Sequence, residues 1–179
     1  MKKISLIALC LILLLVTGCS SDKEESSTVE DLTSSSKKAN SSIYSNGSGK
    51  LMCTRDASAG EGIEVDLNYE IDYESGYIQV LHSNEKITSS NSESLDEYEE
   101  AYKKIAANYN GLKYYDTEVT RTDTEVINDT VINYAKIDIN KLLDIEGEED
   151  NVIKDGKVAL STWLEFAEQF GTTCKEVTE

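Results

Sequence analysis

The sequence predicts an α+β domain: an antiparallel β-sheet of about five strands with two main helices packed on one face. Three stretches carry that prediction. In "GIEVDLNYEIDY" the positions Ile63, Val65, Leu67, Tyr69, Ile71 and Tyr73 alternate with Glu64, Asp66, Asn68, Glu70 and Asp72, the period of a strand with one buried side. In "LDEYEEAYKKIAANY" Leu95, Tyr98, Tyr102, Ile105 and Tyr109 recur at helical spacing. In "STWLEFAEQF" Trp163, Phe166, Ala167 and Phe170 share one face of a second helix.

The chain opens with a segment of another kind. Lys2 and Lys3 precede an apolar run from Ile4 to Val16, interrupted only by Ser5. As a helix its thirteen residues would span about 20 Å, short of the roughly 30 Å hydrocarbon core of a bilayer. That layout is an export signal rather than a membrane span. Val16-Thr17-Gly18-Cys19 resembles the lipobox of bacterial lipoprotein signals, with cleavage between Gly18 and Cys19. The chemistry needs a thiol to take a diacylglyceryl group as a thioether, and small residues ahead of it so that a peptidase can reach the backbone. Two acyl chains anchor stably where one, at about 0.8 kcal/mol per buried CH₂, holds only marginally. The alternative is an ordinary secretory signal that contains a cysteine. Residues 1–18 are thus expected to be a lipoprotein signal peptide. Lipidated Cys19 would tether the protein to the extracytoplasmic face of the cell membrane.

Residues 19–48 follow as a Ser-rich flexible tether. Serine fills eleven of the 29 positions from Ser20 to Ser48, and too few apolar residues accompany it to offset chain entropy. Such a coil reaches about 30 Å. Residues 49–179 have the size of a single globular domain.

Within that domain "GKLMCTRD", residues 49–56, is the first expected strand. Residues 62–88 read as a hairpin, with "ESG" as its turn and "YIQVLHSNEKI" as the returning strand. Ser94 followed by Glu97 has the form of a capping box for the first helix, and Asn110-Gly111 supplies its stop. "KYYDTEVTRT" and "EVINDTVINYAKID" are rich in β-branched and aromatic residues and read as two further strands. A short helical turn is expected at "INKLLDI", then an acidic loop, "EGEED". The last helix has Ser161 as its expected N-cap and Gly171 as its stop.

Cys10 would leave with the signal and Cys19 is committed to lipid, which leaves Cys53 and Cys174. A bridge between them would tie the first strand to the C-terminal tail; two buried, unpaired thiols are the alternative. Closing so long a loop removes denatured-state entropy worth up to about 4 to 5 kcal/mol.

Charge sets limits on partners. The chain carries a net charge of −17, and loss of Lys2 and Lys3 leaves 15 basic against 34 acidic residues. Nucleic acid, which demands clustered Lys and Arg, is excluded as a partner, as is anionic lipid acting on the domain itself. No catalytic motif stands out and no cofactor is called for. His82 is the only histidine, and Ser83 beside it points to the other face of a strand, so His82 reads as a solvated or hydrogen-bonded strand residue. Zinc lacks ligands, and the acids around residues 144–155 do not match calcium-loop spacing. Glu64, Asp66, Glu70 and Asp72 follow one another along one strand face at successive spacings of about 7 to 14 Å. Either water and salt screen them or a basic partner covers them. Ten tyrosines against two phenylalanines suit core-and-rim packing, in which the ring is buried and the hydroxyl stays wet. The sharper reading is a tyrosine-lined groove for a glycan or peptide, with Tyr69, Tyr73, Tyr77, Tyr102 and Tyr134 as candidates.

Residues 102–142, "YKKIAANYNGLKYYDTEVTRTDTEVINDTVINYAKIDINKL", resemble the YehR-like family of small bacterial lipoproteins. The likeness lies in a helix ending in a tyrosine, a glycine-containing turn, and strands running into Tyr134, Lys136 and Asp138. It implies an α+β lipoprotein domain without an assigned activity and carries over no catalytic residue; Cys53 and Cys174 are not part of the pattern. The reading reached is a membrane-anchored, non-enzymatic domain that binds a protein, peptide or glycan partner of the envelope. The alternative is an envelope hydrolase using paired carboxylates. A minor third possibility is that the excised "LILLLVTG", residues 11–18, acts as a peptide pheromone.

Overall fold

The computed structural model describes residues 47–60, 62–146 and 153–177. The expected signal, the expected lipidation site at Cys19 and nearly all of the expected tether lie outside them, as does most of the acidic loop. The elements are β1 (Ser48–Ser58), β2 (Ile63–Glu74), β3 (Tyr77–Ser89), α1 (Ser92–Asn108), β4 (Tyr115–Arg121), β5 (Glu125–Asn133), α2 (Ile139–Glu146), β6 (Ile153–Lys154), β7 (Lys157–Val158), α3 (Leu160–Gln169) and β8 (Thr173–Glu176). Six strands form one sheet in the order β4-β5-β3-β2-β1-β8, every pair antiparallel, and β6 and β7 form a separate small hairpin.

The α+β class holds, and the strand count of about five is corrected to six in the main sheet. The added strand is β8, whose four residues, "TCKE", are too few to show a period. It joins the sheet because Cys174 lies directly across from Cys53 of β1 and the two are disulfide-bonded. The short turn expected at "INKLLDI" is the eight-residue α2, a third helix. Asp138 begins it, its Oδ1 accepting from the Lys141 N–H and its carbonyl from the Leu142 N–H.

Register assigns side chains to faces, because residues directly opposite in antiparallel strands point the same way. Leu51, Ile71, Leu81, Ile132 and Tyr115 form one row across β1, β2, β3, β5 and β4; Cys53, Tyr69, Ser83, Thr130 and Thr117 form the next. These rows belong to the concealed face. A bulge between Asp72 and Tyr73 pairs Asp72 with Val80 but Tyr73 with Ile78. The extra residue, Gln79, moves Ile78 from the phase of Val80 and His82 to the buried side, which is why Ile78 joins the core. Ser75 and Gly76 close the β2–β3 hairpin with positive φ at both positions, the requirement of a type I′ turn.

Both expected helix caps are displaced. Asn91, not Ser94, caps α1: its side-chain oxygen accepts from the N–H groups of Glu93 (3.0 Å) and Ser94 (3.4 Å). Asn is as good a cap as Ser and comes first in the chain, so the helix starts before the Ser94–Glu97 box and Leu95 enters the core from its first turn. α3 starts at Leu160 after Ala159, with no side-chain cap, rather than at Ser161. A tertiary contact sets that start. Ala159 bridges to Tyr77, and the Leu160 N–H donates to the Gly76 carbonyl at 3.0 Å. In the core the Trp163 ring meets Tyr69 edge-on, with centroids 5.4 Å apart, while α1 lies against β3, β4 and β5.

Candidate binding face

The positions that alternate with the core residues make the sheet's open face. Across it Met52, Glu70, His82, Val131 and Asp116 form one row, and Thr54, Asn68, Asn84, Asp129 and Glu118 the next. Lys50 with Asp72 and Asp66 with Lys86 are direct cross-strand neighbours, and both pairs close as salt bridges, at 3.2 and 2.8 Å. The acidic strand face is therefore partly neutralised by lysines of the flanking strands, an answer that one strand read alone does not contain. Glu64 and Glu70 form no salt bridge among the described residues. The side-chain hydrogen bond from Lys86 to Asp66, with their attraction, holds the Lys86 ammonium above its ordinary 10.5.

At the centre His82 Nε2 lies 3.0 and 3.1 Å from the two oxygens of Asp129, and Asn84 Nδ2 donates to Asp129 Oδ2 at 2.9 Å. A carboxylate only accepts, so Nε2 of His82 carries the proton. Partial burial pushes the Asp129 carboxyl up, but the hydrogen bonds from Asn84 and His82 and the attraction of His82 outweigh it and hold the group below 3.8. His82 is thus the hydrogen-bonded strand residue of the sequence reading. Ser83 is buried on the opposite face, so the two make no nucleophile–base pair. No group of three or more His, Cys, Asp or Glu side chains among the described residues is arranged to hold a metal ion. Apolar side chains interrupt this polar grid: Met52 is 37 % exposed, and Val80, Ile127 and Val131 are half-buried.

The candidate tyrosines do not converge on the surface. Tyr69, Tyr73, Tyr102 and Tyr134 are buried in the core, and only Tyr77 is half-buried, beneath Lys157 Nζ at 5.1 Å from its ring. An exposed tyrosine-lined groove built on these five is therefore corrected to core packing. The reason is phase: Tyr69 and Tyr73 share the alternation of Val65, Leu67 and Ile71, and Tyr73 turns its hydroxyl to the edge, donating to Glu176 Oε1 at 3.4 Å. Among the described residues the exposed tyrosine is Tyr114, at positive φ, with Lys136 Nζ 5.8 Å from its ring centre.

The sequence reading passed over a polar set inside the concealed face. Ser83, Glu85, Asn128 and Thr130 are buried, Glu85 at 2 % exposure. The Thr117 hydroxyl donates to Asn128 Oδ1 (3.1 Å) and shares a hydrogen bond with Thr130 Oγ1 (2.9 Å). The signal was present, since Ser83 and Glu85 are in phase with Leu81 and Ile87.

No family model and no curated protein matches the chain. Two solved structures are similar to it. The NMR structure of the E. coli YehR protein is 17 % identical with a TM-score of 0.49, covering 75 % of this chain and 95 % of its own. The NMR structure of a protein from Streptococcus pneumoniae TIGR4 is 14 % identical with a TM-score of 0.46, covering 88 % and 99 %.

Proposed function

We propose that this chain is a membrane-anchored, extracytoplasmic bacterial lipoprotein of YehR-like type, held through lipidated Cys19, whose folded domain binds a protein or peptide partner of the envelope. The anchoring half rests on the Val16-Thr17-Gly18-Cys19 motif behind a short apolar run and ahead of a Ser-rich stretch. One observation carries the binding half. The open sheet face sets Met52, Val80, Ile127 and Val131 among carboxylates of which only some have a cation beside them. Val80 of β3 and Val131 of β5 stand half-buried on this face in two adjacent strands. Apolar side chains within a polar surround are the usual make-up of a recognition patch.

Mass spectrometry of the N-terminal peptide from membrane-extracted protein tests the anchor. A diacylglyceryl thioether on Cys19 with residues 1–18 gone is expected; an unmodified Cys19 or another N-terminus refutes it. Capture from envelope extract by the full lipidated chain in detergent tests binding. Retention of a partner that a Met52→Asp, Val131→Asp double variant loses is expected. Equal capture by both proteins removes the open face as the binding surface.

A further inference from the structure

The two edges of the six-stranded sheet are treated differently. Beside β1 the short β8 covers Leu51–Thr54 and is locked there by the Cys53–Cys174 bond. At the other end β4 pairs with β5, and no further strand follows it among the described residues.

The ladder shows which backbone groups of β4 face outward. The Asn133 N–H donates to the Tyr114 carbonyl (2.9 Å) and the Thr122 N–H to the Glu125 carbonyl (2.8 Å). With the register running from Tyr115↔Ile132 to Arg121↔Val126, the hydrogen-bonded pairs in between are Asp116/Val131, Glu118/Asp129 and Thr120/Ile127, because they recur at every second residue. Thr117 and Val119 therefore aim both N–H and C=O away from β5. The strand is also held at both ends against α1: Arg121 Nη2 reaches Asp96 Oδ1 and Ser92 Oγ, each at 3.2 Å, and Tyr115 stacks on Tyr109 with centroids 4.1 Å apart. An edge so held adds little ordering cost on pairing.

Among the devices that keep an edge bare are charged side chains, proline and bulges; β4, "YDTEVTR", has no lysine, proline or bulge, and its one cation, Arg121, is held by Asp96 and Ser92 of α1. Its exposed charges on the open face are Asp116 and Glu118. In an incoming antiparallel strand the residues across from these two occupy non-hydrogen-bonded pairs, where side chains approach most closely. Complementarity there demands Lys or Arg. A second copy fails the same test, since full overlap of two β4 strands sets Glu118 against Glu118 in chains of net charge −17.

We propose that the outer edge of β4 is a strand-addition site for an extended segment of a partner protein with cationic side chains at alternate positions. This rests on the reading of the domain as a binding module and specifies how it binds.

The test uses the full chain in detergent with synthetic peptides that alternate lysine and valine, alternate glutamate and valine, or scramble the first composition. The Lys/Val peptide is expected to bind, to slow hydrogen exchange at the Thr117 and Val119 amides, and to leave the Asp116 and Glu118 amides, already bonded to β5, unchanged. Val119→Pro removes an outward N–H without touching the β5 ladder and should weaken binding about tenfold, the value of one lost hydrogen bond of about 1.4 kcal/mol. Val119→Thr, which keeps the N–H, should bind as the parent does. An Asp116→Lys, Glu118→Lys double variant, altered only at exposed side chains, should lose the Lys/Val peptide and gain the Glu/Val one. Unchanged exchange at Thr117 and Val119, or equal binding of the scrambled peptide, overturns strand addition while a captured envelope partner would still stand. Equal binding of the Glu/Val peptide by the parent overturns the cationic assignment. Protection of the two amides that rises with protein concentration alone overturns it in favour of a second copy.

Discussion

Replacing Cys53 and Cys174 together by alanine should strongly destabilise this domain. The bridge closes a loop of sequence separation 121 between β1 and β8. For a loop of that length the chain-entropy relation gives a loss of about 16 cal/mol/K from the denatured ensemble, or about 5 kcal/mol at 25 °C. Native-state contacts add little. β8 is mostly exposed and is held otherwise by its short pairing with β1, the Val177 N–H to the Lys50 carbonyl, and the Tyr73–Glu176 contact. The loss therefore comes mainly from the unfolded side, with the buried Cys53 sulfur adding a packing term. Urea unfolding followed by the fluorescence of Trp163, which is buried against Tyr69, reads it directly. The double variant should lose about 4 to 5 kcal/mol and show a larger m-value, because an uncrosslinked denatured chain exposes more surface. A loss under about 1 kcal/mol with an unchanged m-value would refute the reasoning. So would two free thiols titrated in the unfolded, unreduced parent.

Two further outcomes follow from local geometry. Asn91→Ala should cost about 1 kcal/mol because two backbone donors of α1 lose their acceptor, whereas Ser94→Ala should stay within about 0.5 kcal/mol; equal losses in urea unfolding would return the cap to Ser94. The Asp129 carboxyl is held below 3.8 in the folded protein, so the native state binds fewer protons there than the unfolded chain does. Its contribution is present above pH 3.8 and fades as pH falls through the folded value. The stability gap between parent and Asp129→Asn should narrow between about pH 5 and pH 2, and a gap that stays constant over that range would contradict the assignment.

Legibility differed by element for physical reasons. The alternation of β2 and the helical spacing of α1 could be read because each is long enough for its period to repeat and each has one wet side. The hairpin of β6 and β7 was also legible, through Asp155-Gly156, the strongest short hairpin signal and a pair at positive φ in the structure. β8 was not legible, since four residues hold no period. The displaced α3 start was not legible either, because it depends on a hydrogen bond from Leu160 to Gly76 across the fold. Of the candidate site, the acidic positions of β2 were named from sequence, but their lysine partners come from β1 and β3. The phase that carried Tyr69 and Tyr73 into the core was already visible in the pattern that suggested them as binding residues.

The sequence by itself determined the export and lipidation expectation at Cys19, the α+β class, and which β2 side chains would be buried, because these depend on composition and on periods within one segment. Tertiary structure alone decided that Cys53 and Cys174, the pair left by cysteine count, are bridged rather than free, that Lys50 and Lys86 neutralise Asp72 and Asp66, and that β4 ends the sheet on one side while β8 covers Leu51–Thr54 of β1 on the other. Each of these depends on strand order and register, and a pairing between distant segments is a difference between many alternative contacts that no single stretch of chain encodes.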